Sequence, residues 1–334
     1  MSEQQNPSME IPATADAIVV QQAGGPEVLH PATVDVPQPG TGQVLVRVAA
    51  TGVNFIETYQ RSGVYDVDFP FTPGAEFAGT VVALGAGVDG FAVGDRVATA
   101  HGSRGYAQYT AVDADALVPV PDGIDDETAA ALPLQGMTAH MLTHAVKDVQ
   151  PGETALVHAG AGGVGLLLIQ LLKAAGARVI TTVSTDEKEK LAAGAGADEV
   201  LRYDGFRDRV RELTDGRGVD VVYDGVGKDT FDDSLASLRM RGLMVLFGGA
   251  SGPVPPFDPQ RLNSGGSLYL TRPTMMHYTT TAEERRSRMA DLFGLVADGK
   301  LDVRIGARYP LADAGRAHTD LQGRRTTGKV LLVP

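Results

Sequence analysis

Three glycines near the middle of the chain have the spacing that points most directly to chemistry. The segment Val157–Gly165 reads Val-His-Ala-Gly-Ala-Gly-Gly-Val-Gly and contains Gly160-x-Gly162-x-x-Gly165. A predicted strand precedes these glycines and a long apolar helix follows them. In such a pattern the first glycine permits a tight turn, the second lets backbone N–H groups approach a pyrophosphate, and the third lets the helix pack closely on the strand. The pattern predicts a dinucleotide site at a helix N-terminus, against the alternative of a purely structural turn.

The end of the next predicted strand indicates which dinucleotide would bind. An NAD site usually has an acidic residue there to hold the ribose 2′-hydroxyl. Here the strand tip carries no acid, and Ser184, Thr185 and Lys188 follow it. Hydroxyl groups and a lysine can hold a 2′-phosphate, so the sequence favours NADPH, although Asp186 and Glu187 would oppose it if they pointed inward. The alternative is that Ser184 only caps a helix and Lys188 is a surface lysine.

The elements that must position this loop follow from the hydrophobic pattern. From Glu153 onward, short apolar runs alternate with helical stretches, which predicts an α/β unit with a parallel sheet covered by helices. From Ala17 to Pro121, short apolar runs between glycines predict a partly closed all-β unit. The capping pattern Thr281-Ala-Glu-Glu predicts a helix to about Gly299. A last helix and the strand Val330–Val333 are expected to pack back onto the N-terminal β unit.

Composition excludes several classes of function. The chain has 334 residues, a formal net charge of −12 and no cysteine. Thiolate metal sites, disulfides and cysteine nucleophiles are therefore excluded, and an acidic chain is a poor general binder of nucleic acid. The N-terminal residues lack the pattern of a secretory signal, and no apolar stretch is long enough to span a bilayer. We expect a cytoplasmic protein without membrane contact.

Six further segments, together with the glycine loop, resemble the zinc-free quinone oxidoreductases of the medium-chain dehydrogenase/reductase superfamily. The likeness covers nearly all of the chain after about residue 16. The matching segments are Val53–Tyr65, Pro73–Gly79, Val93–Val97, Tyr223–Gly227, Arg241–Gly248 and Gly266–Pro273.

The resemblance implies a GroES-like β-rich catalytic domain and a doubly wound Rossmann domain with a cleft between them. We place the GroES-like domain at 16–135 and 274–334, the Rossmann domain at 136–273, and a disordered tail at 1–15. The family also implies NADPH-dependent reduction of a quinone and a homodimer.

Site residues are carried over from the matching motifs. Asn54 and Tyr59 would lie near the nicotinamide and are also the catalytic candidates: Tyr59 would hydrogen bond the substrate oxygen and Asn54 would orient the nicotinamide ribose or the substrate. Tyr59 could instead be a cleft-lining aromatic without a chemical role. The remaining expected cofactor contacts are Thr138, Gly160, Gly162, Gly163, Val164, Ser184, Thr185, Lys188, Tyr203, Phe247, Gly248, Thr271, Arg272 and, least directly, Arg324 beside Arg325.

The chain departs from the zinc-dependent relatives. These have a His-Glu pair after the glycine where this chain reads Gly74-Ala75-Glu76, and a cysteine ligand near Asn54–Ile56, where this chain has none. A catalytic zinc site needs three protein ligands, which Glu76 alone cannot supply. We therefore expect no metal, and Glu76 would satisfy backbone or polar groups.

Two other functions stay open from the sequence. The first is an NADPH-dependent reductase of 2-alkenals or enones, which would share the fold, the cofactor and the hydride step. The second is a non-catalytic nucleotide-binding scaffold or RNA-associated protein, although the net charge counts against RNA binding.

Overall fold

The computed structural model describes residues 10–334, which form two compact units. The first unit consists of the described chain up to Leu134, with Ala307–Arg325 and Val330–Pro334. The second unit consists of Gln135–Gly306 and Thr326–Lys329.

Strands and helices are numbered in chain order. The strands are β1 Thr14–Val20, β2 Leu29–Asp35, β3 Gln43–Val53, β4 Phe77–Leu84, β5 Arg96–Thr99, β6 Tyr109–Asp113, β7 Val118–Pro119, β8 Thr154–His158, β9 Arg178–Thr182, β10 Glu199–Leu201, β11 Val219–Asp224, β12 Leu238–Leu246, β13 Tyr269–Thr271, β14 Ile305–Pro310 and β15 Lys329–Val333. The helices are α1 Phe55–Arg61, α2 Asp126–Ala131, α3 Pro133–Met141, α4 Gly163–Ala174, α5 Asp186–Gly194, α6 Phe206–Leu213, α7 Phe231–Ser237, α8 Gln260–Ser264, α9 Ala282–Ala297 and α10 Ala314–Gln322.

The first unit is built on antiparallel strands. β1 pairs with β2, and in the described chain a larger sheet runs in the order β14-β15-β3-β4-β5-β7, with β6 beside β3. Alternate residues of β3 and β4, including Val44, Val46 and Val81, are fully buried in its core. β15 pairs with β3, Val330 lying opposite Val53, so the chain end does pack back onto the N-terminal strands as expected.

Helix α1 interrupts the pattern of short strands and was not predicted. Asn54 is its N-cap, and Glu57 completes a capping box in which the Glu57 carboxylate accepts a hydrogen bond from the Asn54 amide at 2.8 Å. This Asn-x-x-Glu spacing is itself a helix-start signal. The helix was not predicted because the glycines on both sides of it have the spacing typical of turns between short strands.

The second unit is the predicted doubly wound sheet. All of its strand pairings in the described chain are parallel, in the order β10-β9-β8-β11-β12-β13. Numbered within the unit this order is 3-2-1-4-5-6, and the direction of winding reverses between β8 and β11. β11 is buried along its whole length, in keeping with its nearly continuous apolar sequence.

Three boundaries differ from the sequence predictions. Residues 1–9 of the predicted tail 1–15 lie outside the described residues, and β1 already begins at Thr14. The sequence pattern predicts a helix over Phe231–Arg239, but the helix ends at Ser237, because Leu238 enters β12 and pairs with Val219.

The third difference concerns 274–306, which we assigned to the GroES-like domain and which lies in the second unit. Its contacts explain this placement. The Gln170 side chain of α4 bonds both the N–H and the carbonyl of Asp302, at 2.7 and 3.0 Å, and Arg288 of α9 donates to His140 at 3.1 Å. The predicted capping box of α9 at Thr281 and Glu284 is confirmed. No helix among residues 10–334 is long and apolar enough to cross a membrane.

Candidate active site

The parallel strands of the second unit end at one edge of their sheet, and most of the predicted cofactor residues lie there. Gly160 follows β8, Ser184 follows β9 and Tyr203 follows β10. Phe247 and Gly248 follow β12, and the pair Thr271-Arg272 ends and follows β13. The glycine turn stands where the winding direction reverses, which is the place where open α/β sheets bind ligands.

Gly160 and Gly165 of the glycine turn lie so close to neighbouring atoms that neither position has room for a side chain. A Cβ on Gly160 would collide with the Thr181 side chain, and a Cβ on Gly165 would collide with the Ala159 carbonyl. A Cβ on Gly162 would meet one atom within 4 Å, the Ala159 carbonyl oxygen at 3.2 Å, so the backbone at Gly162 is much less enclosed than at Gly160 or Gly165. A pyrophosphate can therefore approach the backbone at Gly162 more closely than any side chain there would allow.

Helix α4 begins without a side-chain cap. Gly162 is its N-cap and has no side chain that could cap the first-turn N–H groups of Gly163 and Val164. Helices α2, α5 and α9 differ, because Asp125, Thr185 and Thr281 each accept a first-turn amide. The amides and the positive end of the α4 dipole suit an anion, and the residues at this turn therefore fit the diphosphate of a dinucleotide.

The corner after β9 holds the residues predicted to choose between NADPH and NADH. The Lys188 Nζ lies 3.5 Å from the Ser184 hydroxyl, and both belong to the start of α5. Thr185 caps that helix, accepting from the Lys188 amide at 3.3 Å. Asp186, which could repel a phosphate, is bonded to Arg202 at 2.5 Å, and the same guanidinium binds Glu189. This corner offers a lysine and a hydroxyl, and Arg202 partly neutralises Asp186 and Glu189.

Residues on the other side of the turn also approach it closely. Gln135 of α3 lies so near Gly163 that a Cβ there would collide with the Gln135 amide group. Thr138, predicted as a cofactor contact, is half-buried one turn further along α3. Phe247 packs on Gly225, whose added Cβ would lie 2.9 Å from the Phe247 ring. Gln135 was missed because only the fold brings it to the turn.

In the first unit, Asn54 belongs to a buried polar cluster with Glu57 and Glu76. The Asn54 Nδ2 donates to Glu76 Oε2 at 2.9 Å, and the Leu134 amide donates to Glu76 Oε1 at 2.7 Å. Both carboxylates are fully buried, and Asn54 is 6% exposed. Glu76 thus satisfies polar groups at the starts of α1 and α3, as its isolated position in the sequence had suggested.

Tyr59 lies on the half-exposed side of α1. Its ring meets Tyr65 edge to face, with centroids 5.5 Å apart, and Phe55 lies at 6.4 Å. Tyr65, Val64 and Ile56 are exposed neighbours in sequence. Phe55, Tyr59 and Tyr65 thus form an aromatic patch on α1 and the segment after it.

Arg324, the last predicted contact, follows α10 in the first unit with a positive φ of 56°. Its neighbour Arg325 is bonded to Asp320, at 2.8 Å from Nε to Oδ1. Among residues 10–334, no three or more His, Asp or Glu side chains come together as metal ligands.

Comparison with known proteins agrees with both units. The family model described as an alcohol dehydrogenase GroES-like domain matches residues 40–122, and that described as a zinc-binding dehydrogenase matches 163–295. A quinone oxidoreductase of Pseudomonas aeruginosa is 47% identical over 93% of this chain and 97% of its own length. The chain belongs to the quinone oxidoreductase family. The resemblance drawn from the motifs is therefore confirmed.

Two further members of this wider group are similar along nearly their whole length. The structure of the Escherichia coli quinone oxidoreductase complexed with NADPH superposes with a TM-score of 0.94 at 42% identity, covering 96% of this chain and all of the other. A 2-haloacrylate reductase of Burkholderia is 40% identical over 95% of this chain and 98% of its own. The predicted fold class, a GroES-like domain with a Rossmann-type parallel sheet, is confirmed as well.

Proposed function

We propose that this chain is an NADPH-dependent quinone reductase. When bound, NADPH supplies the hydride that the quinone accepts, and the protein supplies position and electrostatics. The observation that carries the proposal is the glycine turn before α4, where the N-cap Gly162 has no side chain and its backbone is less enclosed than that of Gly160 or Gly165. Membership of the quinone oxidoreductase family supports the reaction type.

The residues of the second unit bind and orient the coenzyme. The amides of Gly163 and Val164 donate to the diphosphate, while Lys188 and the Ser184 hydroxyl hold the 2′-phosphate. Tyr203 lies beside the adenosine ribose. The groove is further lined by Thr138, Thr185, Phe247, Gly248, Thr271 and Arg272.

The residues of the first unit act on the nicotinamide side. Tyr59 donates a hydrogen bond from its hydroxyl to the substrate oxygen, and its aromatic neighbours offer an apolar surface to a quinone ring. Asn54 holds the start of α1, and so the position of Tyr59, through its bond to Glu76. A nicotinamide contact of Asn54 and a coenzyme contact of Arg324 belong to the same proposal. The proposed reaction needs no metal, because NADPH supplies the hydride and a quinone needs little polarisation; Glu76 instead accepts from Asn54 and the Leu134 amide.

Two measurements test the proposal. Fluorescence titration should give tighter binding of NADPH than of NADH, and steady-state rates should be higher with naphthoquinone than with a short enal. Tyr59→Phe should lower kcat/KM for the quinone, and Tyr65→Phe serves as the matched control on the same patch. Binding without turnover on any carbonyl acceptor would contradict the proposal and favour a nucleotide-binding scaffold.

Reduction of an activated carbon–carbon double bond is the second candidate. The identity to a 2-haloacrylate reductase favours it. However, the exposed residues Asp66 and Asp68 follow Tyr65 directly and would repel an acceptor that carries a carboxylate. An uncharged enone would not be repelled, so a panel that includes neutral and anionic acceptors separates the two candidates. The homodimer and the cytoplasmic location stay predictions.

A further inference from the structure

His158, the last residue of β8, is buried inside the second unit and has no part in the function described so far. It is 1% exposed, and both of its ring nitrogens have hydroxyl partners. Nδ1 lies 2.7 Å from the Thr182 hydroxyl at the end of β9, and Nε2 lies 2.8 Å from the Ser234 hydroxyl on α7. Two hydrogen bonds therefore hold the His158 ring at the sheet edge where the glycine turn lies.

The carboxylate of Asp224 fixes the direction of these hydrogen bonds. Its Oδ1 accepts the amides of Val226 and Gly227 at 2.8 and 2.9 Å, and its Oδ2 accepts the hydroxyls of Thr230 and Ser234 at 2.7 and 2.9 Å. Since Ser234 gives its only proton to Asp224, it must accept from His158 Nε2–H. Nδ1 of the neutral ring then accepts from the Thr182 hydroxyl.

The ring is kept neutral by its surroundings. Burial lowers the pKa of His158, and the nearby Asp224 opposes this only in part. Asp224 Oδ2 lies 4.0 Å from Nε2, and the other close neighbours of the ring are aromatic: Phe206 at 4.8 Å, edge to face, and Tyr203 at 6.1 Å, nearly parallel. A single direction of donation therefore runs from Thr182 through His158 and Ser234 to Asp224.

This chain of bonds is joined to the proposed coenzyme site at two points. The Thr182 carbonyl accepts the Gly160 amide at 3.1 Å, which fixes the first glycine of the turn. The His158 ring stacks on Tyr203, the residue proposed to lie beside the adenosine ribose. Ala159, between His158 and Gly160, has a φ of +56°, which a residue with a side chain rarely adopts and which the contacts on either side must hold.

We propose that His158 is a positioning residue: as the neutral Nε2–H tautomer bridging Thr182 and Ser234, it holds the glycine turn and Tyr203 in the arrangement that receives the coenzyme. The proposal rests on the proposed function for the identity of that coenzyme. It assigns to His158 no contact with the reacting atoms.

The first test is spectroscopic and needs no coenzyme. A two-bond ¹H–¹⁵N correlation spectrum of the histidine rings, with the His158 signals assigned through His158→Gln, should show the neutral Nε2–H form at pH 7. An Nδ1–H tautomer or a protonated ring would overturn the proposal.

The second test separates binding from turnover. His158→Phe keeps the stacking on Tyr203 but removes both hydrogen bonds, so Kd for NADPH should rise about tenfold while kcat at saturating NADPH and KM for the quinone stay unchanged. His158→Gln, which can again donate to Ser234, should recover part of this loss. Ser234→Ala provides a smaller perturbation should the phenylalanine variant fail to fold, and should raise Kd in the same direction.

His318→Phe is the matched control, because His318 is also a buried histidine bonded to a hydroxyl, that of Tyr106, but in the first unit. It should leave Kd for NADPH unchanged. Wild-type affinity in both His158→Phe and Ser234→Ala would overturn this proposal alone. A wild-type chain that binds no NADPH would overturn the proposed function together with it.

Discussion

The glycine turn of the second unit and the Asn54–Glu57–Glu76 cluster of the first unit both hold polar groups, but they use them in opposite ways. At the turn, the N-cap of α4 is a glycine without a capping side chain, and the Gly162 backbone is less enclosed than that of Gly160 or Gly165. In the cluster, the side chains are buried and bonded to each other and to the starts of α1 and α3. The turn is therefore prepared for a ligand, whereas the cluster is completed by the protein itself.

The comparison predicts its largest effect at the turn. Gly162→Val should raise Kd for NADPH about 100-fold, because a branched side chain occupies the space that the pyrophosphate needs. Gly294→Ala is the matched control, since a Cβ there meets nothing within 4 Å. Titration of both variants with NADPH measures the two values of Kd, and circular dichroism verifies that both variants fold. Equal affinities would show that the turn is not the binding element.

The cluster should show the reverse result. Glu76→Ala removes the acceptor of both Asn54 and Leu134 and should lower the free energy of unfolding by about 2–3 kcal/mol. Kd for NADPH should rise much less than in Gly162→Val, because the diphosphate contacts remain and only the proposed nicotinamide contact of Asn54 is disturbed. Urea denaturation and titration measure the two quantities. A Glu76→Ala chain of unchanged stability that has lost its affinity would reverse the comparison.

A smaller effect is expected within the coenzyme site itself. Lys188→Ala should raise Kd for NADPH about tenfold and leave Kd for NADH unchanged, since only NADPH carries the 2′-phosphate. The exposed lysine Lys190, two residues further along α5, provides the control variant Lys190→Ala. An equal loss of affinity for NADPH and for NADH would place Lys188 outside the 2′-phosphate site.

The smallest effect concerns acid stability, and both units should share it. Burial lowers the pKa of His140, in the second unit, to about 4 and that of His318, in the first, to about 3. The unfolded chain takes up these protons near pH 6.5 and the folded chain does not, so stability is lost as the pH falls below 6.5. Each histidine should contribute about 1 kcal/mol of loss between pH 6.5 and 5.5. His318→Phe should therefore reduce the loss of unfolding free energy between pH 6.5 and 5.5, as measured by urea denaturation at each pH. A loss equal to that of the wild type would contradict the prediction.

Local sequence was sufficient for the glycine turn and the parallel sheet of the second unit because their signals are local. The glycines, the strand before them and the helix after them lie within one segment, and a parallel sheet covered by helices follows from repeated β-α-β units. The capping box of α9 was predicted for the same reason. In the corner after β9 the sequence left the direction of Asp186 open, and its bond to Arg202 answers that question.

Long-range contacts could not be predicted in this way. Glu76 meets Leu134, Gln135 meets Gly163, and His158 meets Ser234, each across dozens of residues, and no periodic pattern connects such partners. Helix α1 was missed although its capping signal was present, because the glycine-rich strands on both sides suggested a continuous β pattern. The boundary near 306 depends on how α9 packs, which is likewise a tertiary contact.

The most direct test of the central claim is the crystal structure of this chain with NADPH. The account predicts diphosphate oxygens within hydrogen-bond distance of the Gly163 and Val164 amides, with the 2′-phosphate beside Lys188. Density for the coenzyme at any other place, with the glycine turn in contact only with solvent, would contradict it.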